Sequence, residues 1–252
     1  MGELTKIILI GTIAGVFGTG IGGMIIAFLG RPRGNMLCFL LTFSSGIMIA
    51  VVFHDLIPEA LALGNMSSTL LGIALGVGGL YLLNKYIPHA HLPQRRGVDQ
   101  RHRSTVRLMR TGMLLGLGIA MHNFPEGLAI GAGYMASEEL GFGLALALAL
   151  HNIPEGMAMA APLVAGGLGR YRVMFWTALA GLPMGIGALV GGLFGGLSAS
   201  VLSVALGFAA GAMIFLVFHE LIPEAQRLNN PRSSILGAIV GVLLGLFALL
   251  VL

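Results

Sequence analysis

His122-Asn123-Phe124-Pro125-Glu126-Gly127 returns as His151-Asn152-Ile153-Pro154-Glu155-Gly156 twenty-nine positions later, and this doubled hexapeptide decides how the chain is read. Each copy lies inside a long apolar run, where an ionisable side chain needs a physical reason to be. In a helix, positions i and i+4 share a face, so His122 sits over Glu126 and His151 over Glu155, with Asn123 and Asn152 about 100° round the same helices. Each helix therefore presents an imidazole, an amide oxygen and a carboxylate. The proline before each Glu has no N–H, so Pro125 cannot bond the carbonyl of Met121, nor Pro154 that of Leu150. In a membrane helix a freed carbonyl must find a partner, and a cation or a water in a cavity is a good one. Imidazole together with carboxylate, amide and carbonyl oxygens suits a borderline divalent ion such as Zn²⁺, Fe²⁺ or Mn²⁺. Two kinked helices whose polar groups merely bond one another are the structural alternative, but two copies of one ligand set read as two halves of one site.

Around these motifs the 252-residue chain is 56% hydrophobic and only 10% charged, with a mean hydropathy of +0.93. That is too apolar for a soluble domain and too long for a simple anchor, so residues 1–252 read as one polytopic membrane domain. A single cysteine, Cys38, excludes an internal disulfide and any Cys-rich metal cluster. The basic excess is a signal of topology, with no nucleic-acid partner implied. Forty glycines fit close helix packing through small-residue faces, as at Gly76 to Gly79 and Gly191 to Gly196. Met1 to Gly30 lacks a basic n-region and a clear cleavage site, which reads as a first membrane helix and not a removed signal peptide.

Apolar runs divided by polar or Gly/Pro punctuation predict eight transmembrane helices, at 5–29, 36–63, 68–86, 105–135, 139–166, 172–195, 200–227 and 232–251. The loops after spans one, three, five and seven collect 13 of the 14 Lys and Arg residues, leaving Lys6 alone on the opposite side. The positive-inside rule then puts those loops in the cytoplasm and both termini outside, in a cell (inner) membrane. A second repeat agrees. Phe53-His54-Asp55-Leu56-Ile57-Pro58-Glu59-Ala60 in span two returns as Phe218-His219-Glu220-Leu221-Ile222-Pro223-Glu224-Ala225 in span seven. Matching motifs on oppositely directed helices mark inverted repeats, here spans one to three against six to eight around a central four/five pair, with the binding site near the midplane.

Six acids fall within spans: Asp55, Glu59, Glu126, Glu155, Glu220 and Glu224, and the assigned boundaries leave no Lys or Arg beside them. Left ionised and unpaired they would cost on the order of 15 to 20 kcal/mol, so either several are protonated or they line a wet path for a mobile cation. His54, about 18 residues into span two, falls roughly 27 Å along it and in the outer half, while His219 falls in the inner half of span seven. His54, Asp55 and Glu59 are thus an expected outer station, and His219, Glu220 and Glu224 an inner one. The cytoplasmic loop 87–104 holds His89, His91 and His102 and reads as a solvated basic loop. Ser137 with Glu138 and Glu139 reads as a helix cap with acids in the first turn. Thr42, Ser44 and Ser45 are expected to bond back within span two.

These residues resemble the ZIP (zinc- and iron-permease) family of divalent metal transporters, and the doubled His-Asn-x-Pro-Glu-Gly form resembles its prokaryotic GufA-like branch. The resemblance covers the whole chain and implies eight spans, both termini outside and a homodimer. It carries over His122, Asn123, Glu126, His151, Asn152 and Glu155 as transport-site ligands. It implies zinc, with Fe²⁺, Mn²⁺ or Cd²⁺ as further cargo, moving toward the cytoplasm through helices four and five. The metal is then substrate, and no prosthetic group is expected. One departure concerns span six, which reads Gly181-Leu182-Pro183-Met184-Gly185 with Met184 where the branch carries a Glu that helps bridge a second metal. A thioether is a soft, weak ligand, which weakens the case for two metals. An intramembrane metalloprotease would need a His-Glu-x-x-His helix, which the chain lacks, so no enzyme is expected. The alternative function is a proton-coupled carrier of another solute, using the same His and Glu residues as relays.

Overall fold

The computed structural model describes residues 2–86, 100–194 and 198–251. Among them there is no β-strand, and eight helical stretches run in order: α1 Glu3–Leu29, α2 Gly34–Leu63, α3 Met66–Tyr86, α4 Gln100–Ala136, α5 Glu138–Ala165, α6 Arg170–Leu193, α7 Ala199–Arg227 and α8 Pro231–Val251. Seven are long and apolar enough to cross a membrane. The other is α4, the longest at 37 residues, whose arginines and polar hexapeptide dilute its hydropathy. The chain is an all-α membrane protein with helix ends close to those expected. One boundary differs: α4 begins at Gln100, so the last part of the expected 87–104 loop is helical. Residues 87–99, with His89 and His91, and the side chain of His102 lie outside the described residues.

The helices pack in two groups. In the first, α1 and α4 each lie against both α5 and α6, and α1 also lies along α6. In the second, α2 packs on α8, α3 on α7, and α2 on α7; α4 meets α7 and α2 meets α5 where the groups join. Close approach depends on glycine. A Cβ on Gly156 would fall on the carbonyl of Thr19 in α1, and one on Gly127 on that of Met184 in α6. The last residue of each hexapeptide thus lets a neighbouring backbone come in. Large apolar side chains such as Phe17, Phe28, Phe175, Leu243 and Phe247 are left facing outward, as a lipid-facing surface requires.

Two helices change their winding. Val52–Leu56 in α2 and Val217–Leu221 in α7 are five-residue π-helical turns. Pro58 and Pro223 have no N–H to give, and the residue before each donates one position further back, Ile57 to Val52 O and Ile222 to Val217 O. The two turns hold the repeated Phe-His-acid-Leu segment, so the same local cause acts at both copies.

Candidate metal centre

The corner between α4 and α5 sets the register of the hexapeptides. Ser137 caps α5, its Oγ accepting the Leu140 N–H at 3.1 Å, as the cap reading expects. Glu138 accepts from Tyr134 Oη at 2.7 Å and pairs with Lys6 Nζ at 3.2 Å, which ties α1 to the corner. From this corner the helices run antiparallel, so the two i,i+4 pairs meet head to tail. His122 stands level with Glu155, and His151 with Glu126. His122 Nε2 lies 2.9 Å from Glu155 Oε2, and His151 Nε2 lies 3.4 Å from Glu126 Oε1. His122, Asn123, Glu126, Asn152 and Glu155 are all buried, and the His151 side chain is 10% exposed.

The amides are oriented by their nitrogens. Asn123 Nδ2 donates to Ala180 O at 3.1 Å, and Asn152 Nδ2 to Met184 Sδ at 3.8 Å. Both Oδ1 atoms are left without a partner. Among the described residues, eight buried side-chain polar atoms lack a hydrogen bond, and seven belong to these six residues: His122 Nδ1, Asn123 Oδ1, both Glu126 oxygens, His151 Nε2, Asn152 Oδ1 and Glu155 Oε1. A buried polar atom without a partner costs about 1–3 kcal/mol, more when charged, so this concentration is expensive unless something polar enters between the helices. Among the described residues no three imidazole, thiol or carboxylate groups form a ready cage. The donors stand instead as two His–Glu couples flanked by amide oxygens. Met184, fully buried against Asn152, is adjacent to this set.

The repeated motifs on α2 and α7, expected as outer and inner stations, lie toward opposite ends of the molecule and differ in character. Toward the α4–α5 corner, Asp55 and His151 share a cavity of about 210 Å³ with Val51, Pro154 and Gly245. His54 and Glu59 are exposed, and among the described residues no hydrogen bond or ion pair holds His54, Asp55 or Glu59. At the other end Glu224 is 1% exposed and tied to Arg107 Nε at 3.1 Å and Arg227 Nη1 at 3.2 Å. His219 contacts Glu220 Oε1 at 3.0 Å and Asn84 Nδ2 at 3.4 Å, and stacks on Phe215. Arg110 Nη2 donates to Asn84 Oδ1 at 2.7 Å. The expectation that no Lys or Arg accompanies the intramembrane acids is therefore corrected at Glu224. Arg107 and Arg110 belong to the first turns of a helix that starts earlier than expected, and their long side chains reach inward.

Three further features escaped the sequence reading. Arg107 and Arg110 stand at i,i+3 on one face of α4, a spacing that could have flagged them. Asn84, in the last turn of α3 beside Lys85, is buried. Ser44 does not bond back within α2 but donates to Pro154 O of α5 at 3.0 Å, whereas Thr42 and Ser45 do bond back, to Cys38 O and Leu41 O.

The ZIP zinc transporter family model matches residues 88–252. Zinc transporter ZupT of Akkermansia muciniphila is 37% identical over 259 aligned residues, covering 96% of each chain. Zinc transporter ZupT of Escherichia fergusonii is 35% identical, covering 85% of this chain and 86% of its own. That of Escherichia coli O127:H6 is 36% identical, covering 83% and 86%. With the family model matching residues 88–252 and relatives at 35–37% identity covering 83–96% of its length, the chain belongs to the ZIP zinc transporter family.

Proposed function

We propose that the protein carries divalent transition metal, zinc first and Fe²⁺, Mn²⁺ or Cd²⁺ as further cargo, across a cell membrane toward the cytoplasm. The central binding site is built by His122, Asn123, Glu126, His151, Asn152 and Glu155. The observation that carries this reading is the seven polar atoms without a hydrogen bond that the two facing hexapeptides bury together. An entering Zn²⁺ has borderline character and accepts both N and O donors, so it replaces two His–Glu couples by direct ligation. The names of the ZupT relatives support zinc as the metal.

The chain crosses eight times with both termini outside, α4 included. The packing supports an inverted repeat of α1–α3 with α6–α8: α2 on α8 answers α7 on α3, α1 on α5 answers α6 on α4, and α2 on α5 answers α7 on α4. Metal passes from the station at His54, Asp55 and Glu59, through the cavity shared by Asp55 and His151, to the central site. It leaves past His219, Glu220 and Glu224 as the two helix groups rock against each other. A homodimer in the bilayer is part of this reading.

Radioactive zinc uptake into liposomes holding the purified protein is the direct test. Uptake that saturates and is competed by cold divalent metal is expected, whereas transport of another solute indifferent to divalent metal would establish the proton-coupled alternative. The path has its own check: in one conformational state, cysteines at 54 and 219 are expected to react with membrane-impermeant thiol reagents from opposite sides. Labelling of both from one side would refute the topology. Met184→Glu sets a carboxylate beside Asn152 and is expected to raise zinc affinity or stoichiometry in titration calorimetry. Identical isotherms would mean that the position adds no ligand.

A further inference from the structure

The two ends of the molecule are related by sequence but closed differently. At the corner end, Asp55 faces His151 across a cavity, and the repeated His and acids hold no partner among the described residues. At the other end Glu224, the counterpart of Glu59, is only 1% exposed and clasped by two guanidinium groups. Arg227 is on the same helix, three residues on. Arg107 is on α4, so its bond joins the helix group that carries the central site to the group that carries Glu224. Arg110 makes a second bridge between the groups through Asn84 of α3, whose amide reaches His219.

We propose that Arg107 is a stand-in cation: it occupies Glu224 while no metal is there, holding α4 against α7, and yields when the cargo neutralises that carboxylate. The chemistry follows from burial. A carboxylate withdrawn from water must have a counter-charge, and removing it leaves an uncompensated charge. A guanidinium and a divalent cation meet the same need, and a cation on Glu224 competes with Arg107, which reaches both carboxylate oxygens. Arg107 is suited to yield because its own side chain is 39% exposed, so water takes it back at little cost. The end facing the cytoplasm in the proposed topology is therefore shut in the metal-free protein and opened by metal arriving from the central site. The α2 station, with no such clasp, leaves the corner end accessible in the same conformation. This inference rests on the metal-transport reading for the identity of the displacing cation, but the lock itself does not.

The test uses the full chain in lipid nanodiscs with Cys38→Ser and Leu216→Cys as background. Leu216 is 2% exposed and packs where a Cβ on Gly118 of α4 would stand, between the lock and the central site. Maleimide labelling of the background is expected to be slow without metal and about tenfold faster after Arg107→Gln, the scale of losing a charge-assisted bond. Arg107→Lys, which keeps the charge, is expected to restore slow labelling. Glu224→Gln cuts the lock from its other side and is expected to match Arg107→Gln, so the idea stays testable if one variant fails to fold. Zinc added to the background is expected to speed labelling, and to have no further effect in Glu224→Gln. Background-rate labelling in either folded variant overturns the lock. Fast labelling in the variants with a background indifferent to zinc overturns the exchange. Zinc uptake by the unsubstituted chain is read separately: its absence overturns the transport reading, while the metal-free difference between variants and background stands without it.

Discussion

His122→Ala and Glu155→Ala are each expected to lower zinc uptake at least about tenfold while the protein still inserts and purifies as a single species. The reason is the cross-hairpin geometry. His122 and Glu155 come from different helices yet stand 2.9 Å apart, so each variant removes one donor and leaves its partner buried and alone. The remaining five residues retain both amide oxygens and the His151–Glu126 couple, which keeps the hairpin in register and explains why assembly survives. Uptake measured in liposomes against equal amounts of protein decides the matter. A purified variant with unchanged uptake would mean that the cargo does not pass between α4 and α5.

Gly156→Val is expected to cost about 3 kcal/mol of stability and to lower sharply the yield of monodisperse protein. Its Cβ would fall on the carbonyl carbon and oxygen of Thr19, backbone atoms that cannot swing aside, and α1 would have to move off α5. Gly143→Val, on the same helix, is the control. Nothing lies within 4 Å of a Cβ there, so its melting behaviour in detergent is expected to match the parent. Equal melting of the two variants would refute the claim that the hexapeptide glycine serves helix packing. A loss of zinc uptake in Gly156→Val would then follow from displaced helices and not from a lost ligand, since glycine offers none.

Much of the architecture is local in origin and could be read along the chain. Hydropathy and punctuation located the helix ends within a few residues, because a membrane helix must satisfy its own backbone and so ends where apolar residues end. The i,i+4 spacing put His and Glu on one face before any fold was known, and the equal spacing in both copies made them meet across a hairpin. Pro58 and Pro223 have no N–H to donate, a property of the residue alone, and a π-helical turn precedes each.

What escaped was reach and partnership. The charge count assigned Arg107 and Arg110 to the loop before span four although they lie just inside its expected boundary, because a count along the chain cannot know that a seven-atom side chain will turn inward to a partner on another helix. Ser44 faced the same limit: back-bonding within α2 is the local option, and only the arrival of α5 offered Pro154 O instead. By itself, the sequence determined an all-α membrane protein with two identical ligand sets, since periodicity and hydropathy are properties of a segment and its solvent. The crossed His–Glu couples, the amides turned by Ala180 and Met184, and the Arg107 bond to Glu224 were decided by tertiary packing, because each needs an atom on another helix, more than twenty residues away, to arrive within reach.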